Sequence, residues 1–537
     1  MKKIIVSALL IAVLAYSALG QNMMDALRLS ENNYYGTARS LGLGNAVTAL
    51  GGDLGSIGMN PAGSAVNNFS QFTISPGIST FINGASYNGN PSNQSSYDPE
   101  FMRYRTRFAL PELSGTMTIN TGRRSGVKTI TFGIIGNATN YYTDDMEARG
   151  KTDKTSYLGE LASYATSKGL DATILDKADY VNSVYPYTWD AIVGYKSGMI
   201  ATFGGSNTQY VGSTEKIYEG NVIKTAGMLQ QNYGRRRAGN KTDLIINGGL
   251  NISDFLYLGA NIGIVSVSSR FSSYYKEAGD LENPNFDIDF GGGNKARFSD
   301  FRFRQTINME GSGIYGKFGF IIRPMENLRL GAAIQTPVGM YIKDTYQCAG
   351  ETHFDKSNFD SSAQSTEGIY EYRLLSPYRV NAGAALTFGR GLVSLDYEMC
   401  DYSAMKYSEA NYGAGGFDNV NKEIKDGMGI AHTIRLGAEV KANPYLSFRA
   451  GYNLGTSPER YYENNVRKTP EAYTHSFTLG MGYSSQGSFF WDIAGRYMQK
   501  PNEFFYPYGN YIKDTASPEI LVSHKVVDIV MTFGWRF

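Results

Sequence analysis

Residues 523–537 read SHKVVDIVMTFGWRF, and every second residue from Val527 to Phe537 is apolar. The residues between them are polar or small, with Val530 as the exception. A period of two predicts a β-strand with one apolar and one polar face. A chain ending on such a strand, with a terminal aromatic residue, is typical of bacterial outer-membrane β-barrels. There this strand closes the cylinder and leaves no unpaired edge in lipid.

The composition agrees with a barrel. The 537 residues include 40 Tyr, 28 Phe and 62 Gly at a mean hydropathy of −0.30. These values suit strands that are apolar on one face only, with tyrosines at the membrane interfaces. No segment approaches eighteen consecutive apolar residues, which argues against a helical membrane protein. The formal net charge of +1 gives no electrostatic reason to expect a nucleic-acid partner. We therefore expect a multi-pass barrel in the outer membrane of a Gram-negative bacterium.

The first twenty residues predict a secretory signal peptide. Lys2 and Lys3 precede an apolar run over 4–14, and small residues follow, with Ala18 and Gly20 at the two selective positions. An apolar run of about eleven residues is too short to span a bilayer, which needs roughly twenty. We expect cleavage before Gln21.

Short turns and long polar stretches alternate along the chain, which is the outer-membrane pattern of periplasmic turns and external loops. The segments paired across short turns are 114–120 with 127–135, 243–252 with 256–267, 311–323 with 328–336, 379–388 with 392–400, 433–440 with 446–454, and 476–483 with 489–497. The polar stretches, predicted as structureless external loops, are 82–112, 136–230, 268–310, 337–374, 401–430, 455–474 and 498–522.

The strand count depends on one region. About fourteen strands are expected, but segments 189–195 and 199–203 would form a further hairpin and raise the count to sixteen. The alternative is a helix over 154–185 inside a large external loop, because Leu158, Leu161 and Tyr164 follow a helical spacing. Both counts are even, as such barrels require.

The alternation also assigns the two faces of the wall. In the segment LRLGAAI, which starts at Leu328, the apolar residues face lipid and Arg329 faces the lumen. A lipid-facing arginine near the midplane would cost ~2–4 kcal/mol. The other candidate lumen residues are Arg379, Asp396, Glu398, Arg435, Glu439, Arg449, Asp492 and Arg496. We favour a structural network for these charges, with direct ligand contact as the alternative.

Residues 21–68 precede the first strand and do not alternate. Small residues dominate, so short helices broken by glycine are expected. A barrel of about fourteen strands encloses more space than its own side chains fill. We therefore predict that residues 21–68, called the hatch below, form a plug in the lumen of a barrel built from residues 69–537.

This segment resembles a known family. The run GTARSLGLG at 36–44, ALGGD at 49–53 and NPAG at 60–63 are similar to the hatch of the FadL/OmpP1/TodX family, whose members transport hydrophobic compounds. Asn60-Pro61-Ala62 matches that family's hatch motif. Stretches 321–337, 376–403 and 433–452 resemble its Bacteroidetes-type members, and the likeness is weakest over 136–230 and 268–310. The family barrel has fourteen strands, which favours the lower count.

The resemblance implies a function. It implies passive uptake of hydrophobic molecules, foremost long-chain fatty acids, which are held among external loops, then beside the hatch, and released sideways through a gap in the wall. Asn60, Pro61 and Ala62 would sit at the gate, with Arg39 and Asp53 as further hatch candidates. An inward arginine could pair with a carboxylate head group.

Other functions and partners stay open. A docking or shuttle barrel for a protein-secretion system, and haem or aromatic-compound uptake, are the alternatives. The four histidines form no recognisable catalytic arrangement, so we expect no enzyme, and we expect no cofactor or metal. Expected partners are a fatty acid-like ligand, outer-membrane lipid and lipopolysaccharide, and the barrel-assembly machinery through the terminal strand ending at Phe537. Cys348 and Cys400 either pair or stay free.

Overall fold

A computed structural model describes residues 22–92, 96–180, 187–219, 222–410, 416–463, 466–485 and 487–537. The predicted signal peptide, 1–20, lies outside the described residues. No helix in the described ranges is long and apolar enough to cross a membrane.

Within these ranges, fourteen strands form one antiparallel sheet in which each strand pairs with the next. They are β1 (Gln71–Asn88), β2 (Phe101–Asn120), β3 (Val127–Tyr141, continued by Asp144–Thr152), β4 (Leu229–Ile252), β5 (Leu256–Ala278), β6 (Lys295–Met325), β7 (Leu328–Gln335, continued by Gly339–Phe354), β8 (Gly368–Leu375, continued by Arg379–Phe388), β9 (Gly391–Asp401, continued by Lys406–Glu409), β10 (Ile430–Lys441), β11 (Leu446–Thr456), β12 (Tyr473–Ser484), β13 (Phe489–Phe505) and β14 (Glu519–Arg536). β14 pairs with β1 from Arg536–Gln71 to Glu519–Asn88, so the barrel is closed. The count of fourteen is confirmed.

The helices of the described ranges lie in the hatch and in the external loops. They are α1 (Met23–Ser30), α2 (Ala38–Gly42), α3 (Tyr157–Ser167), α4 (Ala172–Lys177), α5 (Tyr187–Lys196) and α6 (Asp418–Gly427). Short 3-10 turns are Leu54–Ser56, Pro61–Val66, Pro284–Phe286, Ser357–Phe359 and Tyr402–Ala404. Short additional strands are Ile200–Thr202, Tyr210–Gly212, Glu215–Tyr218, Val222–Thr225, Asp287–Asp289, Ser361–Gln364, Tyr461–Glu463 and Val466–Lys468.

The terminal strand shows why the barrel sits in lipid. Val527, Ile529 and Met531 are exposed on its outer face, whereas Asp528 and Thr532 are buried on the lumen side. The same alternation places large apolar side chains outward on the neighbouring strands, so the closed wall carries an apolar belt. Since a closed barrel satisfies every backbone group of its wall internally, this belt can face hydrocarbon. The chain is an outer-membrane β-barrel.

The prediction of structureless loops is wrong over much of its length. β5 and β6 have 23 and 31 residues and continue well into the polar stretch 268–310, and β3 continues into 136–230 as far as Thr152. Strand segments also occupy parts of 82–112 and 337–374. Above the lipid both faces of the wall meet polar surroundings, so apolar alternation ends while backbone pairing continues. The apolar alternation in the sequence therefore predicts only the lipid-facing part of each strand and not its extension above the membrane.

The described residues of the region 154–203 form an external cap and add no strands to the barrel. The hairpin predicted over 189–203 is wrong, because Tyr187–Lys196 is helical. The helical alternative holds for α3, which starts at the N-cap Ser156. Helices α3–α5 share a buried apolar core with the upper parts of β6 and β7, where Cys348 lies. Cys400 lies in a separate cluster beside α1, and both cysteines are free.

Candidate functional site: the hatch, the lumen and the wall

The hatch lies inside the barrel and touches opposite sides of the wall. α2 contacts β11–β14, and the 3-10 turn Pro61–Val66 contacts β3–β6. Close approach is possible where the wall lacks side chains. A Cβ on Gly319 would lie 2.1 Å from Asn60 Oδ1, and one on Gly259 would lie 2.3 Å from the backbone of Pro61 and Ala62. These two glycines thus form the seat of the triplet, which the sequence alone did not reveal.

Hydrogen bonds hold the Asn-Pro-Ala triplet on this seat. The fully buried Asn60 donates from Nδ2 to the carbonyls of Thr48, at 2.7 Å, and Phe320, at 3.0 Å. Its Oδ1 accepts from the backbone N–H of Ala62. The carbonyl of Pro61 accepts from Asn247 Nδ2 at 3.1 Å. The triplet is therefore a fixed attachment of the hatch to β4 and β6.

Asp53 and Arg39 hold the rest of the hatch. Asp53 accepts hydrogen bonds from the hydroxyls of Thr37, at 2.6 Å, and Ser40, so it ties the start of α2 to the following 3-10 turn. Arg39 forms an ion pair with Glu439 of β10 at 3.2 Å. Asp53 thus connects two parts of the hatch to each other, and Arg39 connects the hatch to the barrel wall.

The lumen charges form buried networks. Glu398 lies between Arg379 and Arg435, at 2.9 and 2.8 Å. Glu439 also pairs with Arg449 at 2.6 Å. These side chains are buried. Because an uncompensated buried charge is costly, such carboxylates and guanidinium groups hold each other in place.

The remaining lumen candidates bind the hatch or extend the network. Asp396 accepts from the backbone N–H of Thr48 at 2.7 Å, and Arg329 donates to the carbonyl of Leu50. Arg449 reaches a second carboxylate, Asp492, at 2.6 Å. Arg496 pairs with Asp528 at 2.7 Å, so each of the nine candidate residues has a partner within the protein.

A cavity of about 1290 Å³ lies between the hatch and the external segments around Pro458, Pro470 and Pro507. Its wall mixes polar groups with apolar side chains, among them Leu27 of α1, Tyr142, Phe271 and Met309. α1 packs by its apolar face against an aromatic cluster on β8 and β9. The cavity is therefore partly apolar and is bounded by the N-terminal helix of the hatch.

Arg237 is a cation of this cavity that the sequence analysis did not identify. Its guanidinium lies 4.9 Å from the ring of Phe271, and within the described ranges no carboxylate lies within 4.0 Å of it. Its neighbour Arg235, two residues earlier on the same face, pairs with Asp144 and Glu503, each at 2.7 Å. If the alternation of the strand predicted at 243–252 is continued towards the N-terminus, Arg235 and Arg237 both fall on its lumen face.

The wall has a seam between β2 and β3. Their ladder runs from Asn120–Thr129 to Glu112–Asn137 and ends there. Above that point β2 pairs only with β1, and the continuation of β3 pairs only with β4, within the described ranges. Pro111 lies where the ladder ends, and proline has no N–H to donate to a neighbouring strand. In the described part of the chain, side chains bridge the seam, with Arg103 paired to Glu147 and Arg105 to Asp145.

The hatch covers this seam from the lumen side. The backbone N–H groups of Asn33 and Tyr35 donate to the carbonyls of Thr139, at 2.6 Å, and Ala138, at 3.4 Å. The ring of Tyr35 lies 4.4 Å from that of Tyr141, which also lines the cavity. An extended piece of the hatch thus occupies the edge of β3 that β2 leaves free.

Comparisons with known proteins place the fold in context. No family model and no curated protein matches the chain. A FadL homologue of Pseudomonas aeruginosa shares 11% identity, with 94% of this chain and 99% of that chain covered and a TM-score of 0.50. The toluene transporter TodX of Pseudomonas putida shares 12% identity, with 95% of this chain and 99% of that chain covered and a TM-score of 0.48. The toluene transporter TbuX of Ralstonia pickettii shares 13% identity, with 95% of this chain and 100% of that chain covered and a TM-score of 0.43.

At this identity the likeness to the Pseudomonas aeruginosa protein speaks for the fold alone. The fold and the site together define the class: a fourteen-strand outer-membrane β-barrel whose lumen holds its own N-terminal segment. Within the described residues, no cluster of three or more histidine, cysteine or acidic side chains is arranged to hold a metal ion.

Proposed function

We propose that this barrel is a FadL/OmpP1/TodX-type protein of the Bacteroidetes kind that admits hydrophobic molecules passively through the outer membrane. The ligand enters between the external loops, rests in the lumen cavity and leaves sideways through the seam between β2 and β3. The observation that carries this proposal is the seam itself, covered by Asn33–Tyr35 beside the cavity.

The seam offers an exit into hydrocarbon. Outside it, β2 presents large apolar side chains to the membrane, with Tyr104 at 67% and Phe108 at 79% exposure. A solute leaving there passes from a partly apolar cavity into lipid without meeting bulk water. Each methylene kept out of water contributes roughly 0.8 kcal/mol, which favours this path for long alkyl chains.

The hatch divides into a movable part and a fixed part. Two backbone hydrogen bonds hold Asn33 and Tyr35 on β3, and each contributes a net ~0.5–1.5 kcal/mol. Arg496 also donates to Asn33 Oδ1 at 3.0 Å and to the carbonyl of Tyr34 at 3.2 Å. Asn60-Pro61-Ala62, in contrast, is buried on a glycine seat with several hydrogen bonds. Because residues 33–35 cover the seam and the triplet lies on β4–β6, we assign the gating movement to residues 33–35 and the role of anchor to the triplet.

Arg237 gives the cavity a preference among hydrophobic ligands. A guanidinium without a carboxylate partner, beside an aromatic ring, suits an anionic head group next to an alkyl chain. We propose long-chain fatty acids as the ligand class on this ground. The strand ending at Phe537 would serve recognition by the barrel-assembly machinery.

Uptake of a labelled long-chain fatty acid and of toluene, by cells producing the wild-type barrel or its R237Q variant, tests this proposal. We expect fatty-acid uptake through the variant to fall by about tenfold, since a charge-assisted hydrogen bond contributes ~1.5–3 kcal/mol, while toluene uptake stays unchanged. The matched control is R390Q, which changes an exposed arginine at a periplasmic turn. Uptake of neither compound by wild type, together with a stably copurifying protein, would favour a docking barrel instead.

A further inference from the structure

The outer wall of β4–β6 carries a cluster of cations above the apolar belt. Lys276 of β5 lies directly opposite Arg302 of β6, and Arg304 lies opposite Tyr274. Arg236 of β4 lies opposite Ser272 of β5, two residues along the strand from Tyr274. The five cations of this cluster, called the basic patch, are Arg236, Arg270, Lys276, Arg302 and Arg304.

The basic patch faces outward, away from the lumen. On β5 the even-numbered residues from Leu258 to Arg270 point away from the lumen, and Ile262 and Ile264 among them form part of the apolar belt. Arg270 is six residues beyond Ile264 on that face. At ~3.3 Å per residue and a tilt of ~40°, it lies about 15 Å further along the barrel axis. That height corresponds to the headgroups of the outer leaflet.

The protein balances the charges of the basic patch only in part, since Asp145 lies opposite Arg236 and Glu351 lies opposite Arg302 in the strand register. Lys276 pairs with Asp300 at 3.4 Å. For the four arginines, no carboxylate lies within 4.0 Å in the described part of the chain. Arg302 stacks over the ring of Tyr274 at 5.0 Å, and its buried Nε has no hydrogen-bond partner. Like charges directly opposite in a sheet, as in Lys276 and Arg302, are destabilising.

Neutral hydrogen-bonding groups surround these cations. Ser268 and Ser272 lie on the same face of β5, and Thr306 and Asn308 lie beside them on β6. Planar guanidinium groups bind phosphate oxygens with two parallel hydrogen bonds, and hydroxyl and amide groups suit sugar hydroxyls. Excess positive charge beside such groups, directly above a lipid-facing belt, matches a phosphorylated sugar headgroup whose acyl chains lie on the belt.

We propose that the basic patch binds the phosphorylated headgroup of lipopolysaccharide in the outer leaflet. The site lies on the outside of the wall and is independent of the proposed uptake function. A bound lipid supplies close phosphate contacts to the four arginines, which have no carboxylate within 4.0 Å in the described ranges, and covers the apolar face of β4–β6 with its acyl chains. A soluble protein partner fits less well, because the patch lies above surface that is buried in the membrane.

The test compares two triple variants in detergent. One is R236Q/R270Q/R304Q, and the other removes three exposed arginines at periplasmic turns, R123Q/R124Q/R390Q. Purified lipopolysaccharide and its dephosphorylated form are titrated against each protein, and the rise in melting temperature gives the apparent Kd. We expect the patch variant to bind the phosphorylated form at least about tenfold more weakly than both wild type and control, because three charge-assisted contacts are lost.

Wild type should also discriminate between the two forms of the lipid, which tests the proposal even if the patch variant does not fold. Equal binding of both forms by wild type would overturn it. Equal affinity of the two triple variants for the phosphorylated form would also overturn it. Loss of a copurifying protein from the patch variant, with no change in lipid binding, would overturn it as well.

Discussion

Replacing Glu398 by glutamine removes the one carboxylate between two buried guanidinium groups. Arg379 and Arg435 lie 2.9 and 2.8 Å from its two oxygens, and Glu398 itself is only 5% exposed. The amide can accept a hydrogen bond from one arginine, but its NH2 group then faces the other. Breaking a buried ion pair by removing one partner costs about 3–5 kcal/mol. We expect E398Q to lower the free energy of unfolding by that amount.

Urea unfolding in lipid vesicles, followed by tryptophan fluorescence, measures this change. The control is E326Q, at an exposed periplasmic turn, where substitutions usually stay within about 0.5 kcal/mol. A loss below about 1 kcal/mol for E398Q, combined with weaker ligand binding, would show that this carboxylate serves the ligand and not the wall.

Two further predictions concern the hatch and the cap. G319A should displace Asn60 from its seat and raise the ion conductance of the barrel in planar bilayers, because the new Cβ would lie 2.1 Å from Asn60 Oδ1. The control, G316A, meets only an ordinary contact at 3.8 Å and should leave the conductance unchanged. Equal conductance of the two variants would contradict the role of Gly319 as the seat of Asn60. In the external cap, burial raises the pKa of Glu160 and of Asp190 to about 7. Both carboxyls are then protonated in the folded cap but ionised in the unfolded chain between pH ~4 and ~7, so cap stability should fall as pH rises through this window and level off above it. Limited proteolysis at pH 5 and pH 8 measures this, and slower cleavage at pH 8 would contradict the sign.

The sequence predicts the membrane-embedded part of the fold well, for a physical reason. Lipid imposes a period of two on every strand it touches, so the hairpins around 379–400 and 433–454 could be found from alternation alone. Above the lipid, nothing imposes a period of two on the sequence of a strand. Consequently the extensions of β3, β5 and β6 fall in stretches that alternation predicts as loops, and Arg237 lies outside the predicted strands.

The site was predictable only in part. Alternation shows that Glu398 and Arg435 face inward, but their pairing depends on the register between β9 and β10, which a single sequence does not supply. The seam is a similar case. Pro111 is visible in the sequence, yet the loss of pairing depends on where β3 departs from β2 and on the hatch segment that covers the free edge.

A reversible cross-link between hatch and seam tests whether release occurs there. In a background with Cys348 and Cys400 replaced by alanine, N33C/T139C would join the movable hatch segment to β3 across an existing 2.6 Å hydrogen bond. The control, S64C/G249C, joins the fixed anchor to β4, where Ser64 Oγ lies 2.5 Å from the position of the new Cβ. Fatty-acid uptake is measured with each disulfide oxidised and then reduced. We predict that oxidation of N33C/T139C stops uptake and reduction restores it, while the control transports in both states. Undiminished uptake through oxidised N33C/T139C would contradict lateral release at the β2–β3 seam.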